Sequence, residues 1–127
     1  YGYKEHNFIE PEQYIYGLDI YDRLAFYLEQ KTRETTIELD IRGFHTVYDH
    51  IIMLNRTINY LDANGIIRKS DLSIITSNFE KKALTLRNNI ILMNRAQEVN
   101  RKSYCLQSLS EIKRTIAKDL AFIYKYI

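Results

Sequence analysis

The chain has one cysteine, one proline, four glycines and no tryptophan among its 127 residues. The single thiol, Cys105, rules out an internal disulfide and suits a reducing compartment, so a cytoplasmic location is expected. No uncharged apolar run nears the roughly 20 residues that cross a bilayer. The longest, 72–79 and 88–94, contain Ser, Thr and Asn, and no membrane contact is expected. No segment alternates with period two for long enough to predict a sheet. There is no internal repeat and no low-complexity tract. No signal peptide is visible, but the chain begins with Tyr1 rather than Met, which leaves room for a processed chain or a piece of a longer one.

What is present is ordinary for a folded protein: 46% apolar residues and 27% charged ones. A chain of this length fits one domain and buries roughly two-thirds of its unfolded surface, enough for a core without staples. The chain is rich in Ile, Asn, Tyr and Lys, the usage expected of an AT-rich genome.

Four segments carry helical periodicity, predicting helices over about 12–33, 36–63, 71–98 and 103–126. The second is the clearest. Ile37, Asp40, Phe44, Val47, Ile51, Leu54, Ile58 and Leu61 recur in steps of three and four, the seam of a bundle helix. Thr35 or Thr36 is the expected cap, and Asn64-Gly65 the expected left-handed stop. The third helix is expected to start at a Ser70 cap and to bury Leu72, Ile75, Phe79, Ala83, Leu86, Ile90 and Met93. The fourth, from near Ser103, buries Leu106, Leu109, Ile112, Ile116, Leu120 and Ile123. In the first, Pro11 suits a first helical position, and Ile15, Leu18, Tyr21, Ala25 and Leu28 form the stripe. Gly17 weakens it, so a start at Asp19 is the alternative. Short links at 33–36, 64–70 and 99–102 force antiparallel neighbours. The expected fold is therefore all-α: an antiparallel four-helix bundle over 11–127 with an irregular N-terminal arm over 1–10.

The search for chemistry returns little. His45 and Asp49 are four apart, but the histidines at 45 and 50 are five apart, which turns them away from a shared metal. A solvated stripe of Glu38–Arg42 and His45–Asp49 pairs explains them. His6 stands alone in the arm. The stretch 62–71 (DANGIIRKSD) has a partial calcium-loop pattern around Gly65, but Tyr60 occupies the first ligand position and Asp71 replaces the bidentate Glu. A helix stop followed by a Ser cap accounts for the same residues. Cys105 lies near Arg101 and Lys102 close to a helix start, which would activate a thiol, yet small buried cysteines are common in helical cores. Asn55-Arg56-Thr57 matches a glycosylation acceptor inside a predicted helix, where chance explains it. No catalytic residue, metal ligand or cofactor is assigned, and no bundle family is supported by a residue pattern.

Two features point outward. Six of the eleven tyrosines fall in the first 27 residues. Tyr14, Tyr21 and Tyr27 suit the core with hydroxyls at its rim, whereas Tyr1, Tyr3 and Tyr16, with Phe8, form a candidate aromatic interface arm. The second feature is charge. Residues 1–62 hold 6 Lys and Arg against 11 Asp and Glu, a net of −5; residues 63–127 hold 12 against 5, a net of +7. Either acidic and basic helices complement one another inside the bundle, or Arg87, Arg95, Arg101, Lys102, Lys113 and Arg114 form a candidate basic face for an acidic partner.

The leading expectation is a non-enzymatic helical module for protein–protein interaction or assembly, docking on another protein or on itself. Apolar stripes widened by Ile41, Tyr48 and Ile52, and by Ile74, Ile91 and Leu92, support it. The alternative is a small nucleic-acid-binding accessory protein that uses the basic half, with Asn88 and Asn94 as further donors. No helix-turn-helix or RNA-binding signature accompanies that half, so sequence-specific reading is not expected. An enzyme ranks third, because the Glu-x-x-His pairs of dimetal bundles are absent.

Overall fold

Helix α1 (Asp19–Lys31) is followed by a non-helical strap over 37–40, then by α2 (Arg42–Ala63), α3 (Ser73–Ala96) and α4 (Lys102–Asp119). A 3-10 turn at Lys69–Leu72 leads into α3, and another at Ala121–Tyr126 follows α4. The computed structural model describes residues 18–126, without the side chains of 73–77, 124 and 126. The expected start of the first helix near Pro11, with Ile15, lies outside the described residues.

The helices follow one another around a single core: α1 packs on α2, α2 on α3, α3 on α4, and α4 returns to α1. Cross-helix contacts fix the directions. Lys113 of α4 reaches Asp22 near the start of α1, while Lys102 at the start of α4 reaches Glu29 near the end of α1. Likewise Lys82 meets Glu111, and Asn89 of α3 meets Arg101 just ahead of α4. Neighbours therefore run antiparallel, as the short connections require.

The predicted stripes supply the core. Leu28, Phe44, Ile51, Leu54, Ile58, Leu86, Ile90, Met93, Leu109, Ile112 and Ile116 are all shielded from solvent. Gly43 lets α1 approach α2 closely, because a Cβ there would lie 2.6 Å from Leu24 Cδ2. The Asn64-Gly65 stop forms as read. Gly65 takes φ +73°, its N–H bonds the Asp62 carbonyl, and the Ile66 N–H bonds the Leu61 carbonyl at 2.9 Å. This is the paired arrangement that satisfies the last carbonyls of a helix.

Helix ends depart from the predicted limits. The fourth helix stops at Asp119 rather than 126, yet Leu120 and Ile123 remain buried because the closing 3-10 turn folds them back onto α2 and α4. Ser70 does not cap α3; it lies within the 3-10 turn. The largest difference is at α2, which starts at Arg42 rather than 36. Neither Thr35 nor Thr36 caps it; the Asp40 carboxylate accepts the Arg42 N–H at 3.0 Å and also grips the Arg42 guanidinium. Ile37 is buried as predicted, but from an extended strap in which Ile37 and Leu39 point inward and Glu38 and Asp40 outward. Asp40 is thus a surface residue, not part of the seam.

The strap is extended because side chains take the place of a neighbouring strand. Asn94 Oδ1 accepts the Leu39 N–H at 2.6 Å, and its Nδ2 donates to the Leu39 carbonyl at 2.9 Å. Gln97 repeats the pattern on Ile37, at 2.9 Å and 2.8 Å. Tyr27 Oη accepts the Asp40 N–H at 2.7 Å. Gln97 sits just past α3 in a left-handed conformation (φ 55°), which is unfavourable for a residue with a Cβ. Its side-chain bonds hold it there.

We expect Asn94→Ala to cost about 1–3 kcal/mol in urea denaturation, since it strips both partners from the buried Leu39 backbone. Gln97→Gly should cost less, because losing the Ile37 bonds is partly offset by relief of the left-handed backbone.

Candidate functional site

The six basic candidates differ in their contacts. Arg87 turns toward α2, its guanidinium carbon 5.2 Å from the Tyr48 ring centroid, with its Nε buried. This is a cation–π contact inside the bundle wall. Arg101 donates to Asn89 Oδ1 at 3.0 Å in the α3–α4 groove. Lys102 pairs with Glu29 at 2.9 Å, and Lys113 with Asp22 at 2.6 Å, both across α1–α4. Only Arg95 and Arg114 of the six are exposed and make no ion pair or hydrogen bond among the described residues. Lys82, outside that set, pairs with Glu111, which also accepts from Gln107.

Part of the charge asymmetry is therefore used between helices, since Lys102 and Lys113 of the basic half pair with Glu29 and Asp22 of the acidic half. Each exposed pair contributes little, ~0–1 kcal/mol, but the four cross-helix contacts repeat one register. Their effect shows in the carboxylates. The Lys102 ammonium hydrogen-bonded to Glu29 holds its carboxyl below the usual range, and Lys82 with Gln107 does the same for Glu111. The Arg42 side chain draws Asp40 down to about 2.

The other candidates resolve individually. Cys105 is fully buried, and burial pushes its thiol up to about 11 despite nearby Arg101, so it packs as an inert apolar side chain. His45 and Asp49 stay on the exposed side of α2. Among the described residues, no three His, Cys, Asp or Glu side chains are placed to hold a metal ion. In the loop with the partial calcium pattern, Asp62 Oδ1 instead accepts the Lys69 N–H at 3.1 Å. Asn55 is half-buried in the middle of α2, a regular helix and not the surface loop a glycan acceptor occupies. Among the described residues, no helix is long and apolar enough to cross a membrane.

Of the tyrosines, Tyr21 is buried and Tyr27 holds the strap with its hydroxyl, as core and rim residues should. Tyr1, Tyr3, Phe8, Tyr14 and Tyr16, with His6, lie outside the described residues. The structure adds surface aromatics of its own. Phe26 of α1 is 66% exposed and Tyr60 of α2 is 65% exposed. Leu92, Val99 and Tyr104, around the α3–α4 turn, are exposed too, as are Ile66 and Phe122. Phe26 is the residue that pattern reading missed. It falls outside the α1 stripe of Leu18, Tyr21, Ala25 and Leu28, so the spacing marks it as outward-facing but gives it no role.

The chain matches no family model, no curated protein and no solved structure in sequence or fold comparison.

His50 is the one histidine with a perturbed environment among the described residues. The Tyr21 hydroxyl lies 3.3 Å from its Nδ1 and donates to it when the neutral ring carries its proton on Nε2. Burial disfavours the imidazolium, so the folded chain holds this proton more weakly than the unfolded one, below the ordinary value of 6.5. Stability from His50 is then complete above that value and falls as pH drops through it. Melting temperature should decline between about pH 7 and pH 5. His50→Gln should flatten that decline, leaving the loss below about pH 4.5 that belongs to Glu29, Asp40 and Glu111.

Proposed function

We propose that this bundle is a non-enzymatic helical module for protein–protein interaction or assembly. The observation that carries the reading is a set of seven large apolar side chains that are exposed among the described residues, outside the buried core. Single exposed apolar residues are ordinary, but Leu92, Val99 and Tyr104 all lie near the α3–α4 turn, and we take them as the candidate contact region. Groups with shifted protonation sit in structural contacts: ion pairs between helices, the α2 cap, a buried thiol and a half-buried histidine. A reducing, cytoplasmic setting suits the lone thiol. Captured partners should be lost, by about tenfold, when Leu92→Ser and Tyr104→Ser are combined, with the melting temperature unchanged. Equal capture by both proteins, read by quantitative mass spectrometry, would remove this region from consideration.

Binding to nucleic acid is the second reading. It is favoured by Lys81, Arg95, Arg114 and Lys118, which are exposed and make no ion pair among the described residues. Fluorescence anisotropy with a short mixed-sequence DNA or RNA tests it. Binding should be micromolar or tighter and weaken steeply with salt as phosphate contacts release counterions. Reversal of Arg95 and Arg114 to Glu should abolish it; absence of binding at low salt sinks this reading.

A further inference from the structure

The α1–α4 face has the make-up of a small interface. Phe26 is the most exposed large apolar side chain described. It is four residues after Asp22 and three before Glu29, so all three share one flank of α1. Those carboxylates pair with Lys113 and Lys102 of α4. Phe26 therefore stands between two interhelical ion pairs, one turn from each. On α4, Leu106 lies one turn beyond Lys102 and Ser110 one turn before Lys113, which places them in the same interval. Leu106 is half-buried, while Ser103, Ser110 and Ala117 are exposed and small. An apolar centre is thus bracketed by charged pairs, beside a shallow surface of small residues.

From this we infer that the α1–α4 face docks a second copy of the chain, with the Phe26 ring of each copy seated on α4 of the other. The inference rests on the interaction-module reading and names its partner. Charge complementarity selects a second copy and its orientation. The α1 side of the face is acidic, with Asp22 and Glu29; the α4 side is basic, with Lys102 and Lys113. A two-fold axis parallel to the helices lays α1 of each copy over α4 of its partner. Carboxylates then face ammonium groups at equal heights, and Phe26 meets the level of Leu106 and Ser110. An axis across the helices would set α1 on α1 and carboxylate on carboxylate. A face that is acidic along one helix and basic along the next is complementary to itself under only the first operation.

Sedimentation equilibrium of the whole chain tests this. The wild-type chain should sediment at twice its monomer mass, and Phe26→Ser should raise the dimer dissociation constant at least about tenfold with the helical circular dichroism unchanged. Phe26 lies outside the core, so its replacement leaves the fold intact. Asp22→Lys and Lys113→Asp should each weaken the homodimer, because each sets like charges against one another across the interface. Mixed in equal amounts, the two variants should recover a heterodimer. The ammonium introduced in one variant then meets the carboxylate introduced in the other, and the unaltered Asp22 and Lys113 face each other across the second half. A wild-type chain that stays monomeric at its highest soluble concentration overturns the inference, as does a dimer indifferent to Phe26→Ser or a mixture no tighter than its components. A monomeric result leaves the docking role standing, since partner capture through Leu92 and Tyr104 is a separate measurement.

Discussion

A buried backbone must find hydrogen-bond partners, and that demand shapes the connection between the first two helices of this bundle. Ten residues join α1 to α2, and two of them, Ile37 and Leu39, enter the core from an extended chain that cannot satisfy its own N–H and C=O groups. Asn94 and Gln97 answer the demand with carboxamides, each of which offers one donor and one acceptor in the geometry of a neighbouring peptide. The consequence spreads. The strap adds Ile37 and Leu39 to the core, runs directly into α2, and ties the end of α3 to the connection between the first two helices. Gln97 accepts a left-handed backbone to reach its place.

The same end of the bundle shows how few contacts hold α1 to α2. Gly43 opposite Leu24, Tyr21 near His50 and Tyr27 on the strap make a narrow seam. On its other side α1 is held by two ion pairs to α4. Exposed ion pairs are worth little singly, so apolar burial of Leu18, Tyr21 and Leu28 carries α1, and the charges set its register. The acidic front half and basic back half of the chain thus meet where α1 runs beside α4.

That division of labour bears on function. Pairing across helix grooves occupies Lys82, Lys102 and Lys113, while Lys81, Arg95, Arg114 and Lys118 make no ion pair among the described residues. Phe26, Leu92 and Tyr104 lie outside the buried core and stand where another surface can cover them. For this reason the proposed role is built on exposed carbon and treats the paired lysines as internal complements.

Periodicity alone determined much of this protein. The stripes of α2, α3 and α4 put Phe44, Ile51, Ile58, Leu86, Ile90, Ile112 and Ile116 inside, and Asn64-Gly65 ended α2, because helix spacing and left-handed backbone preference are local properties. Ile37 and Asp40 misled for the same reason: their spacing fits a helix, and the reason they lie in a strap is Asn94 and Gln97, more than fifty residues away in sequence. The pairing of Lys102 with Glu29 and Lys113 with Asp22 was equally hidden, since composition shows that opposite charges exist and not which helices bring them together. The surroundings of Phe26 were decided by tertiary structure as well. Its place off the α1 stripe follows from helical spacing, but the two ion pairs that bracket it exist only because α1 packs against α4.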